Sequence, residues 1–245
     1  MTAFEQIVEY ANKFDAKFIK TIEGATPNQI KELQSLLNAP IPDLYIDFLQ
    51  VMGRNTDWIK IQDLDFNIEA VLKYYRNENW LPADRLIRIG NDNHDIELDP
   101  YLKIDTIDES PVVRYPPFKK ENFEQIYILK QDPLAGSLPE LFAMPIFEMF
   151  ELRVDGRNPI ILLTEEWEYE AMENLERAAN SLGFEKLWFS SESGHAYHRD
   201  DKTAIQANQW DGYPLQIFIS SKKDNQADFV AGELLKKLAP IKRVS

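Results

Sequence analysis

With 245 residues, 44% of them hydrophobic and 12% aromatic, the chain has the length and apolar content to bury a core, which excludes a disordered segment. Its 41 acidic and 27 basic residues leave a net charge of −14, the wrong sign for a partner held by phosphate neutralisation, so nucleic acid is not expected. The absence of cysteine removes disulfides, thiolate zinc sites and cysteine nucleophiles; no apolar run approaches the ~18 residues of a membrane span, and the N-terminus lacks a basic start before an apolar run, so a cytoplasmic protein is expected.

In chain order, Phe4, Ile7, Val8, Ala11, Phe14 and Phe18 form one stripe and predict a first helix over 3–20. Thr26-Pro27-Asn28-Gln29 is a capping-box start for a second, with Ile30, Leu33, Leu36 and Leu37 as its buried face. A third begins at Pro42, whose missing amide suits a first turn. It carries Leu44, Tyr45, Phe48, Leu49 and Met52 on one face, and Gly53 supplies a left-handed cap. Trp58 to Ile61 reads as a short strand and Ile68 to Tyr75 as a brief helix. Leu86, Ile87 and Ile89 form a strand, Gly90 to Asn93 a turn, and Ile96 to Asp99 a second, acidic strand. Further strands are expected near Ile104, at Val112–Tyr115 before Pro116-Pro117, and at Tyr127–Leu129. Ser137 to Phe150 reads as a helix that Pro145 should break or kink.

The turn-rich stretch Val154 to Pro159 is the expected boundary, dividing the chain into 1–154 and 155–245. In the second part, Ile160 to Leu163 is a strand and Thr164 the cap of a helix. Trp167, Ala171, Leu175, Ala178 and Leu182 line that helix's inner face, and Gly183 ends it. Leu187–Ser190, His195–Arg199, Thr203–Ala207 and Leu215–Ile219 are expected strands, and Ala227–Leu238 a closing amphipathic helix. Helices on one face of an antiparallel sheet suit this order, and the fold class is α+β, with the later part as a smaller α/β unit.

The proline-led helix (Pro42, Tyr45, Phe48, Leu49, Gly53), followed by Pro82, Leu86, Ile87, Ile89, Gly90, Asp92 and Asp95, resembles the SUKH superfamily, the Smi/Knr-type domains common among bacterial immunity proteins. The resemblance covers the first part of the chain. One departure is that Arg54 and Asn55 follow Gly53, where members often carry a second glycine. The resemblance implies an immunity protein that binds a cognate toxin and blocks it by occlusion, with no cofactor and no chemistry of its own. A basic nuclease would suit the charge as the toxin.

The expected partner-binding surface comprises Trp58, Asp63, Asp65, Tyr75, Asp92, Asp95, Glu97 and Asp99. Between Asp84 and Glu109 stand eight acidic and three basic residues, a local −5. Asp92 onward does not meet the spacing of a calcium loop, because the sixth and twelfth positions are Glu97 and Lys103. Trp58, Tyr74, Tyr75 and Trp80 are either interface anchors or core. Glu165, Glu166, Glu168, Glu170, Glu173 and Glu176 crowd twelve residues without a lysine or arginine; the first oppose a helix dipole and the later ones form a solvated face.

Two rival readings are a regulatory or scaffolding module and a hydrolase with a site near His195 and His198. On a strand, residues three apart point to opposite faces and those two histidines would not chelate together, whereas in a turn they could; a surface pair in a loop near Gly194 is expected, and no metal motif of recognised spacing is present. Ser190, Ser191 and Ser193 near His195 lack a nucleophile-elbow pattern.

Overall fold

The computed structural model describes residues 1–37, 40–56, 59, 61, 63–77, 86–92, 99–104, 112–115, 132–153, 157–238 and 240–244. It is α+β and divides into two compact units, Met1–Phe142 and Ala143–Ser245. The division falls within the helix Leu138–Phe147, ahead of the turn-rich stretch at 154–159. Among the described residues no helix is long and apolar enough to cross a membrane.

In the first unit, α1 (Ala3–Asn12) starts from a full capping box, Thr2 and Glu5 each bonding the other's backbone amide at 3.3 and 2.8 Å. It stops sooner than the stripe predicts. Asp15 accepts the Lys17 amide at 2.9 Å, a local bond that competes with the helix, and Phe18–Lys20 form a separate 3₁₀ turn. Helix α2 (Pro27–Leu37) has the predicted box between Thr26 and Gln29. Helix α3 (Asp43–Met52) is preceded by Pro42 as its N-cap, and Gly53 is right-handed (φ −68°), not left-handed as predicted. What restricts residue 53 is space, since a Cβ there would lie 2.6 Å from the Leu49 carbonyl oxygen. The Gly53 carbonyl accepts the Ile68 amide at 2.7 Å, joining the end of α3 to the start of α4 (Ile68–Tyr75), which matches its predicted span.

Beyond these helices, β2 (Leu86–Arg88), β4 (Asp99–Lys103), β5 (Val112–Tyr115) and β6 (Asp132–Ala135) form an antiparallel sheet in that order. A second ladder pairs β1 (Leu64–Asp65) with β3 (Asn91–Asp92). The acidic strand therefore includes Asp99 and runs on to Lys103, while Ile96 and Leu98 lie outside the described residues, as do Trp58 and Tyr127–Leu129. Ile59 and Ile61 are buried but not in a strand. Phe142 stacks on Phe48 at 4.6 Å and meets Phe4 and Phe66 edge-on at 5.9 and 5.1 Å, so aromatic contacts from four segments centre the core. Its helix, α5 (Leu138–Phe147), is not broken by Pro145; the next turn, Glu148–Leu152, widens to π geometry, with the Arg153 amide reaching the Glu148 carbonyl at 2.8 Å.

The second unit is a six-stranded antiparallel sheet in the order β12–β7–β11–β10–β9–β8. These are Ile160–Thr164 (β7), Glu185–Lys186 (β8), Gly194–Arg199 (β9), Thr203–Asn208 (β10), Gln216–Ser221 (β11) and Ile241–Arg243 (β12). Alternate side chains, Ile160 and Leu162, Tyr197, Ile205 and Ala207, Ile217 and Ile219, pack against α6 (Ala171–Ser181) and α7 (Gln226–Lys237). The other face holds Gln206, which donates to Glu148 Oε1 of the π turn at 2.8 Å. Two predictions fail here. Thr164 ends a strand and caps no helix, because its hydroxyl donates to the Glu166 carbonyl and accepts the Leu215 amide; α6 starts only at Ala171, which leaves Trp167 outside it. Leu187–Ser190 is a turn, the strand lying just before it at Glu185–Lys186.

A Cβ at Gly90 would lie 2.7 Å from the Asp65 carbonyl oxygen, between Pro100 and Phe66. Gly90→Ala is expected to lower unfolding free energy by about 1–3 kcal/mol in urea titrations, because neither backbone can yield without breaking the ladder. Gly232, inside α7, meets nothing within 4 Å, and Gly232→Ala is expected to raise stability by roughly 0.5–1 kcal/mol in the same assay.

Candidate functional site

The ladder of β1 and β3 brings together residues far apart in sequence. Leu64 pairs with Asp92 and Asp65 with Asn91, so Asp65 and Asp92 stand at diagonal positions of a short two-stranded ladder that Asp63 immediately precedes. This acidic edge is fixed from both sides. Asp65 accepts the Asn67 amide at 2.9 Å at the entrance to α4, and Gly90 allows close approach to the Asp65 backbone. Asp63 is exposed and Asp65 and Asp92 are half-buried. Trp58, Asp95 and Glu97 lie outside the described residues.

Two of the expected surface residues are core residues instead. Tyr75 is buried and its hydroxyl accepts the Arg88 amide at 2.8 Å. Asp99, only 2% exposed, meets Arg88 Nη2 at 2.7 Å and accepts the Asp92 amide at 3.0 Å. The same guanidinium donates to the Gly90 carbonyl at 2.9 Å and to Asn91 at 2.6 Å, and lies 3.8 Å over the Tyr74 ring. Burial raises the Asp99 carboxyl above the usual carboxylate range, and the Arg88 charge and the Asp92 amide only partly oppose this. The second Asp99 oxygen has no hydrogen-bond partner among the described residues. This cluster cannot touch a partner. Its effect is to hold β2, β3 and β4 together beneath the acidic edge.

In the second unit, the two histidines face opposite sides of the sheet. His195 is buried on the helix side, its Nδ1 2.7 Å from the Tyr197 hydroxyl. Burial, with Lys186 nearby, lowers its pKa to about 4, so the ring is neutral at pH 7. His198 is half-buried on the other face, 3.6 Å from Glu151 and 3.9 Å from Glu185. No single site is therefore built from both rings. The hydroxyl of Ser191 accepts the Ser193 and Gly194 amides, and that of Ser190 accepts the Ala196 amide, so both serve the turn that opens β9. Of the acidic run, Glu165 to Glu170 precede α6 in an exposed loop, and Glu176 pairs with Lys186 at 2.9 Å. Trp167 stands four residues before Ala171, a spacing that predicts a helix through this stretch, but the segment is a loop and the helix starts only at Ala171.

Neither a family model nor a curated protein matches the chain. Two predictions follow from the geometry. Arg88→Met strands the buried Asp99 charge and is expected to lower stability by about 3–5 kcal/mol in urea unfolding. For His195, the unfolded chain takes up a proton near pH 6.5, whereas the folded one does so only near 4, so acid favours unfolding between those values. Wild type is expected to lose about 3 kcal/mol more than His195→Gln between pH 7.5 and 4, read as the difference between their unfolding free energies.

Proposed function

We propose that the protein is a cytoplasmic immunity protein of the SUKH type that binds a cognate toxin and blocks it by occlusion, without chemistry of its own. The observation that carries this reading is the edge of Asp63, Asp65 and Asp92, set rigidly on the buried Arg88–Asp99 pair in a chain of net charge −14. A basic protein is the natural complement of such an edge, since a complementary field speeds encounter and rejects acidic competitors. The resemblance of Pro42 to Gly53 and of Leu86 to Asp95 to SUKH domains supports the same assignment.

The test is co-expression with the protein encoded by the adjacent gene, scored by growth and then by co-purification at low and high salt. Rescue is expected, with a complex that salt weakens. Asp63→Lys/Asp92→Lys is expected to weaken it about tenfold or more, chiefly through a slower association rate. An adjacent gene product that is not toxic and forms no complex would sink the reading in favour of a regulatory or scaffolding module.

A further inference from the structure

The second unit exposes large aromatic side chains in a pattern its core does not explain. Register places Leu163, Gln216, Asn208 and Gly194 in one row across the sheet. Strands β7, β11, β10 and β9 therefore finish level, and segments 165–170, 209–215 and 187–193 emerge at the same end. Buried Gln209 clasps all three: its amide donates to the Ser193 carbonyl at 2.8 Å and its side chain to the Glu168 carbonyl at 2.9 Å. Thr164 and Leu215 add a reciprocal pair, 3.1 Å from the Thr164 amide to the Leu215 carbonyl and 2.9 Å from the Leu215 amide to the Thr164 hydroxyl. On this preorganised surface Tyr169 is 84% exposed, Tyr213 47%, Trp188 44% and Trp167 41%. Large rings gathered in water at one end of a fold mark a contact surface.

Charge identifies the partner. The three segments contain Glu165, Glu166, Glu168, Glu170, Glu192 and Asp211, all exposed, and no lysine or arginine. The rest of the unit holds eleven acidic and twelve basic residues, so its acidity is confined to this end. The turns at the opposite end, 200–202 and 222–224, mix three lysines with three aspartates, so one-signed charge is not a general property of its turns.

We propose that these three loops are a docking surface for an arginine-bearing face of a partner protein. An aromatic face attracts a cation and stacks on a planar guanidinium, while a neighbouring carboxylate takes its N–H groups in a bidentate pair. Lysine brings the charge without the stacking plane. The surface lies wholly in the second unit and does not rest on the acidic edge of the first.

The experiment uses the full chain and no toxin. Nona-arginine and nona-lysine are titrated against wild type, Trp167→Ala/Tyr169→Ala, and Phe229→Ala, an exposed aromatic on α7 that serves as control. Wild type is expected to bind nona-arginine at least about fivefold tighter than nona-lysine, and the double variant to lose about tenfold for nona-arginine together with the preference. Phe229→Ala should bind as wild type does. Glu166→Gln/Glu170→Gln, which keeps every backbone bond of the loop, should weaken both peptides about threefold or more and serves should the aromatic variant fail to fold. Equal affinity for the two peptides, an unchanged double variant, an equal loss in Phe229→Ala, or no change in the glutamine variant overturns the proposal.

Discussion

One buried guanidinium governs the first unit. Stripping water from an ion pair costs several kcal/mol per ion, and attraction offsets this only where the remaining donors and acceptors are also met. Arg88 meets most of that demand through Asp99, the Gly90 carbonyl, the Asn91 side chain and the Tyr74 ring, with one Asp99 oxygen left without a hydrogen-bond partner among the described residues, so the turn after β2 has little freedom. The Asp92 amide, bound to Asp99, then fixes β3, and β3 fixes β1. The Arg88 amide bonds Tyr75 at the end of α4, and the start of α4 is bonded to Gly53. Helix α3, helix α4 and both ladders are thus linked through a single residue, its amide reaching α4 and its guanidinium the strands, and Asp63, Asp65 and Asp92 are the less buried part of that network.

The elements readable in sequence are those whose signals are local. The Thr26–Gln29 box and the span Ile68–Tyr75 were set by residues within one turn of the helix end, and both are as expected. The misreadings arise where a residue's identity alone does not decide its backbone. Thr164 has the side chain of a cap, but β11 claims it through the Leu215 amide. Gly53 has the identity of a left-handed cap, but the Leu49 backbone, not its φ, is what excludes a side chain. Pro145 removes one helical bond, and the chain continues by widening the next turn rather than stopping. Strand β12 went unread because Ile241–Arg243 is three residues long and exists only by pairing with β7.

The candidate site was legible as a charge and not as a list of residues. The excess of acid between Asp84 and Glu109 is real, and burying Arg88 with Asp99 takes away one charge of each sign without altering the difference. Which acids stay outside depended on a partner eleven residues away, and no periodicity announces that. Tyr75 fails as a surface residue for the same reason: its hydroxyl is the acceptor for Arg88, in a helix whose inner stripe it completes. By contrast Asp63, Asp65 and Asp92 are joined by the pairing of β1 with β3, which sequence spacing alone could not reveal.

The two proposed surfaces differ in make-up, and so in what each would contribute to binding. Carboxylates along an edge act at a distance of about a Debye length, roughly 8 Å at physiological salt, and so govern encounter more than residence. The loop end of the second unit adds tyrosine and tryptophan, which act only on contact and govern how long a partner stays. Because the clasp by Gln209 and the Thr164–Leu215 pair hold the loops by hydrogen bonds to their backbone, less ordering entropy remains to be lost on contact. On the reading proposed above, salt therefore acts mainly on association at the first surface, whereas truncating an aromatic acts mainly on dissociation at the second.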